Sequence, residues 1–209
     1  MKLFLASRGS HPLSLEKLQK FLPADKPLEK SKILYIPTAT NGENGYGSWK
    51  ESETLKVLKA MKCNLKIVEL EDCIFRDIKE DFADIDMIWM GGGFCGYLLY
   101  WIRRCELDKL LPELFTKGII YVGASAGSMV CSKTQFCAEV GDDKEIGASL
   151  LPGLGYIDFE IFPHFTDEKR PQIEKDWKYG KLYLLKDGEA ITFVDGKVEV
   201  LGEERIIVA

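Results

Sequence analysis

The sequence predicts an α/β fold with a largely parallel central sheet, and three features point there. Short runs of β-branched, aromatic and aliphatic residues alternate with helix-spaced segments over the first two-thirds of the chain. With 209 residues and 46% hydrophobic content, the chain can bury one sizeable α/β core. The spacing also shows no repeat, linker or low-complexity stretch, so residues 1–209 read as a single domain. Crossovers between parallel strands are right-handed and cover both sheet faces with helices.

The first strand is expected at Lys2 to Ala6, followed by the turn-like Ser7-Arg8-Gly9-Ser10-His11-Pro12. A helix follows with apolar spacing at Leu15, Leu18 and Phe21-Leu22, and His11 before its proline reads as a loop or capping residue. Ile33 to Ile36 is the second strand, ended by Pro37, and leads into a turn-rich loop over 38–47 that reads either as a substrate-facing lid or as a surface loop. One helix is expected from Ser48 to Met61 and a third strand from Leu65 to Leu70. A short helix covers Ile78 to Phe82, and the strand Met87 to Met90 runs straight into Gly91-Gly92-Gly93. Helices over Gly96–Arg104 and Leu107–Phe115 precede the strand Ile119 to Val122. Beyond Ser132 the spacing predicts a strand from Tyr156 to Phe162, a helix from Pro171 to Tyr179, and a β tail at 182–185, 190–194, 198–201 and 205–208 with an Asp195-Gly196 hairpin turn.

The composition excludes several functions. A net charge of -5 offers no basic excess for neutralising phosphates, which argues against nucleic acid as a partner. No apolar run reaches the length of a membrane span, and the opening residues are too short for a signal peptide, so a cytoplasmic location is expected. The six cysteines form no C-x-x-C pair and read as reduced thiols. With only His11 and His164 present, a histidine-rich metal site is not expected, and no cofactor is implied.

The chemistry gathers at Gly123-Ala124-Ser125-Ala126-Gly127, which matches the G-x-S-x-G elbow. There a strand bends sharply into a helix, and side chains on either flanking glycine would collide. The alternative is a small-residue turn packing a helix closely on a strand. Gly91-Gly92-Gly93 reads either as a tight turn or as bare backbone whose N–H groups suit an oxyanion. A serine nucleophile needs a base. Downstream of Ser125 the one histidine is His164; it follows a predicted strand, which would put it at the same carboxyl-end rim of the sheet as the elbow. The base needs a carboxylate in turn, and Asp142, Asp143, Asp158, Asp167, Asp187 and Glu189 are all open candidates.

Taken in order, Gly91-Gly92-Gly93, Gly123-Ala124-Ser125-Ala126-Gly127 and Pro163-His164-Phe165-Thr166 resemble peptidase family S51, the family of dipeptidase E and, more distantly, cyanophycinase. The resemblance runs over nearly the whole chain. It implies a three-layer αβα sandwich, similar to class I glutamine amidotransferases, and a Ser-His-Glu triad that cleaves small peptides. Carried over, Ser125 is the nucleophile, His164 the base, and the Gly92 and Ala126 N–H groups the oxyanion donors. Gly91 and Phe94 would line the substrate. The family's glutamate falls at Asp187, with Glu189 and Asp142 as the other positions for the acid.

Where the family usually has Asn-Thr after the glycines, this chain has Phe94-Cys95, a bulky apolar side chain in place of a polar one. That substitution bears on the acidic-residue preference of dipeptidase E. A substrate aspartate would need a cation, for which Arg103, Arg104, Lys133, Lys169 and Arg170 are the candidates. An amidase or esterase on the same fold, and a catalytically impaired binding protein, are the alternative functions. Monomer and homodimer both stay open.

Overall fold

The computed structural model describes residues 1–42, 48–141 and 144–209. In chain order the elements begin with β1 (Lys2–Ala6), α1 (Pro12–Phe21), β2 (Lys32–Ile36), α2 (Thr38–Asn41), α3 (Glu53–Ala60), β3 (Asn64–Ile67) and β4 (Met87–Met90). They continue with α4 (Cys95–Arg104), α5 (Leu107–Thr116), β5 (Ile120–Ala124), α6 (Ala126–Met129) and β6 (Glu160–Phe162). The last are α7 (Arg170–Asp176), β7 (Lys181–Leu184), β8 (Ala190–Val194), β9 (Lys197–Leu201) and β10 (Ile206–Val208).

Seven strands form one sheet in the order β3-β2-β4-β5-β1-β8-β9. The five from β3 to β1 are parallel, while β8 is antiparallel to β1 and β9 to β8. In β1, β2, β4 and β5 alternate residues are buried on opposite faces, which is why these strands read as nearly continuous apolar runs, whereas the edge strand β3 exposes Asn64 and Lys66. In β1, Leu3 and Leu5 pack into one cluster with Leu98, Leu99 and Ile102 of α4 and Leu111 of α5. Phe4 and Ala6 pack into the other with Leu18 of α1 and Leu55 and Leu58 of α3. The arrangement is the expected helix–sheet–helix sandwich.

A second, three-stranded sheet, β10-β7-β6, packs Ile161, Leu182 and Leu184 into the α4–α5 side. Sequence spacing does not anticipate it, and it changes one expectation. His164 leaves a strand of this small sheet rather than one of the main sheet.

Other expected boundaries shift for local reasons. The single helix over 48–61 is broken at Ser52, which is extended (ψ 147°) and whose hydroxyl accepts the Leu55 N–H to cap α3. The 38–47 loop begins as the short helix α2, and its remainder from 43 to 47 lies outside the described residues. Strand β6 is shorter than expected because the Tyr156 and Ile157 N–H groups turn back onto the Cys131 carbonyl instead of a neighbouring strand. Among the described residues, no helix is long and apolar enough to cross a membrane.

Candidate active site

The elbow is built by close approach. A β-carbon on Gly123 would lie 2.5 Å from the Gly127 carbonyl oxygen, and one on Gly127 would overlap the Met90 carbonyl. Two flanking glycines therefore let α6 turn back against β4 and β5. Ser125, at the bend, has φ 51° and ψ −115°, a conformation that costs a non-glycine residue about 1–3 kcal/mol. Hydrogen bonds hold it there. Its N–H donates to the carbonyls of Ala6 and Ser7, both at 3.1 Å, and its own carbonyl accepts from Ser128 and Met129. The Ser128 hydroxyl adds a bond to the Ala6 carbonyl (2.8 Å), so the elbow is pinned to the end of β1.

His164 reaches this point from the small sheet. The Leu185 N–H donates to the Phe162 carbonyl and the Phe165 N–H to the Leu185 carbonyl, so the β6–β7 pairing resumes on either side of Pro163-His164. The histidine stands out of the ladder with φ 53°. Its Nε2 lies 3.0 Å from Ser125 Oγ, and its Nδ1 lies 2.7 Å from Asp187 Oδ1. Asp187 arrives by the route between β7 and β8. Because β8 runs against β1, it starts at the edge where β1 and β5 end, with Ala190 opposite Ala6.

Burial pushes the Asp187 carboxyl upward, but His164, then Ser7 and Arg8, outweigh it and hold the group below the usual carboxylate range. An ionised Asp187 accepts the Nδ1 proton. Nε2 then faces the serine hydroxyl with its lone pair free. The imidazole and carboxylate are 45% and 35% exposed, so the group opens directly to solvent.

Gly92 lies against the elbow: a β-carbon there would be 3.1 Å from that of Ser125. Its carbonyl is turned away by the Thr40 hydroxyl at 2.9 Å, and Gly93 (φ 133°) fits where a side chain would overlap Ala39. Among the described residues, no acceptor is bonded to the N–H of Gly92 or of Ala126, the first residue of α6. Gly91 differs, since its N–H donates to the Ile36 carbonyl and a β-carbon there would meet the Tyr35 ring at 3.3 Å.

Phe94 precedes α4 without capping it. The Cys95 and Gly96 N–H groups instead donate to the two oxygens of Glu145, each at 2.6 Å. That carboxyl is pushed upward by burial against the opposing pull of those N–H groups.

The remaining candidates for the acid are elsewhere. Glu189 pairs with Arg205 at 2.7 Å and caps Lys186, Asp167 pairs with Lys186, and Asp142 and Asp143 lie outside the described residues. His11 caps α1 through the Leu13 N–H and packs on Gly188 behind the Asp187 turn. Of the proposed cations, Arg103 bonds the carbonyls of Pro152 and Gly153 and Arg170 pairs with Glu174, whereas Lys169 bonds the His164 carbonyl (3.3 Å). Sequence reasoning passed over Arg8, which is 3.7 Å from Asp187 Oδ2 and half exposed. It also passed over Ser7, Thr40 and Glu145. The signal for Ser7 was its place at the carboxyl end of a parallel strand, where α/β sites assemble.

The family model described as Peptidase family S51 matches residues 3–201. The chain belongs to peptidase family S51. As an S51 member it is a serine peptidase of the peptidase E kind. Similar proteins include an uncharacterised peptidase of Listeria monocytogenes, 24% identical and covering 85% of this chain and 88% of its own. A peptidase E of Shewanella oneidensis is 27% identical over 87% of this chain and 75% of its own. Among solved structures, a candidate peptidase E from Listeria monocytogenes superposes with a TM-score of 0.75 at 19% identity, covering 95% of this chain and 96% of that one. A peptidase from an acI-B1 actinobacterium gives 0.64 at 21%, covering 100% and 94%. At such identities the two structures establish the S51 fold.

Proposed function

We propose that this S51 peptidase hydrolyses small peptides through an acyl-enzyme on Ser125. One observation carries the reading: Asp187, His164 and Ser125 form an unbroken hydrogen-bonded chain that ends on a hydroxyl held at a strained, solvent-facing bend. In the first half-reaction Ser125 Oγ attacks the scissile carbonyl while His164 Nε2 takes its proton. The Gly92 and Ala126 N–H groups receive the developing oxyanion. The tetrahedral intermediate collapses by breaking the C–N bond, and His164 returns the proton to the leaving amine. Water then attacks the ester with His164 again as base, releasing the acid and regenerating Ser125.

The exposure of the triad suits a short substrate, and Arg8 and Lys169 favour one with an acidic residue, such as a dipeptide with an N-terminal aspartate. The test is covalent labelling by a fluorophosphonate, followed by intact mass. A single adduct on the wild type, absent from Ser125→Ala, is expected. An unlabelled wild type would favour a binding protein. Screening a dipeptide panel then defines the substrate.

A further inference from the structure

The group outside the triad that is most closely bound to it is Ser7, which is fully buried. Its carbonyl accepts the Ser125 N–H at 3.1 Å. Its hydroxyl oxygen accepts the His164 N–H at 2.8 Å, and its hydroxyl proton is donated to Asp187 Oδ1 at 3.1 Å. A serine hydroxyl has one proton and two lone pairs, so both contacts are satisfied at once. Ser7 is itself fixed, because its N–H donates to the Glu189 carbonyl and β1 is paired on both edges.

We propose that Ser7 is a positioning residue that sets the register of all three triad members. The inference rests on the triad reading above. Two properties of His164 require such a residue. Its backbone is in the left-handed region, which a histidine adopts only when neighbours hold it there, and the Ser7 hydroxyl is the acceptor of its N–H. Its imidazole is also nearly half exposed, so packing alone does not fix the ring. Ser7 fixes both ends of the problem, since the oxygen that holds the histidine backbone also orients the carboxylate that holds the ring. The contact has a chemical consequence as well. A hydroxyl donating to Asp187 withdraws part of the negative charge that would otherwise act on the imidazole. Among the described residues, Arg8 stands beside Asp187 and Lys169 donates to the His164 carbonyl.

The experiment compares fluorophosphonate labelling of the wild type, Ser7→Ala and Ser7→Cys, measuring the maximal rate and the half-saturating concentration from pH 5 to 9. Ser7→Ala keeps the carbonyl that anchors Ser125 and removes both hydroxyl contacts. Its maximal rate is expected to fall about 10- to 100-fold, less than the roughly 10⁴-fold typical of replacing a triad acid. Half-saturation should stay unchanged, and the acid limb should move to higher pH because the carboxylate is no longer partly neutralised. Ser7→Cys fills the same space with a weak donor and acceptor, so it covers the case in which the alanine variant does not fold, and it should remain slow.

A wild-type rate and acid limb in folded Ser7→Ala, or full recovery in Ser7→Cys, would overturn the proposal and leave the triad standing. No adduct on the wild type would overturn both.

Discussion

Gly123 and Gly127 face each other across the elbow so closely that a β-carbon on the first would sit 2.5 Å from the carbonyl of the second. The obstacle is backbone, which no rotamer change relieves. Gly123→Ala is therefore expected to unfold the elbow or displace α6, with loss of fluorophosphonate labelling and a fall in urea midpoint. A destabilisation beyond about 4–5 kcal/mol would place it in the exceptional class of point mutations. Gly118, whose β-carbon would meet nothing within 4 Å, is a control for added bulk, although its φ of 84° still adds strain.

Replacing Asp187 by Asn keeps the shape of the site and removes the charge. An amide can donate to Nδ1 and so stabilise the wrong tautomer, leaving Nε2 protonated against the serine. Labelling and turnover should fall by about 10⁴-fold, as for other triads, with the fold intact by circular dichroism. A loss under tenfold would mean that another carboxylate serves His164.

The same residue makes a prediction about acid stability. Its folded carboxyl titrates below the ordinary range, whereas in the unfolded chain it does not. The stabilisation it provides is thus present above the unfolded value of about 4 and is lost as pH falls through the lower, folded value. Asp187→Asn should flatten the decline in stability below about pH 4, read from urea midpoints. An unchanged slope would show that Asp187 is not linked to acid unfolding.

Arg8 and Lys169 differ in what they touch. Arg8 stands beside a carboxylate oxygen, and Lys169 beside a carbonyl. If Arg8 also meets an acidic substrate residue, Arg8→Ala lowers kcat/KM for an Asp-containing dipeptide about tenfold more than for its Ala counterpart. Losing a hydrogen bond to a charged group costs about 1.5–3 kcal/mol, which permits a ratio of that size. Equal losses on both peptides would assign Arg8 to Asp187 alone.

Glu145→Ala leaves the Cys95 and Gly96 N–H groups without their acceptor at the start of α4. Loss of a helix cap costs about 0.5–2 kcal/mol, and partial burial puts this site toward the upper end. The measurement is the urea midpoint at neutral pH. A midpoint within error of wild type would show that water replaces the carboxylate.

What was legible in the sequence was whatever depends on local spacing. The inner parallel strands announced themselves because both of their faces are buried, and the elbow announced itself because its glycines are forced by backbone contact. The small sheet was not legible. Its strands were expected near 156–162, 182–185 and 205–208, but β7 lies beyond α7 from β6, and pairing between distant strands leaves no mark on local spacing. From the residues alone the carboxylate on His164 was likewise open among six, since turns give no direction to a side chain, and it was the family resemblance that pointed to Asp187, with Glu189 and Asp142 beside it. Ser7 was hidden for a similar reason. A lone serine after a strand looks the same whether its hydroxyl meets water or two members of a triad. Glu145 accepts the Cys95 N–H across fifty positions, supplying the cap that Phe94 lacks, and no short window contains that pairing.

The pairing of β1 has a consequence for the order in which the molecule is made. Its partners are β5, at residues 120–124, and β8, at residues 190–194, so the strand that leads into Ser7 must wait for both. A ribosome has already built Ser125 and His164, the proposed nucleophile and base, before it reaches Asp187. Until that residue and β8 emerge, Ser125 has no oriented base beside it. On the proposed triad, an unfinished chain thus holds its serine unarmed, and the site is complete only once β8 has docked on β1.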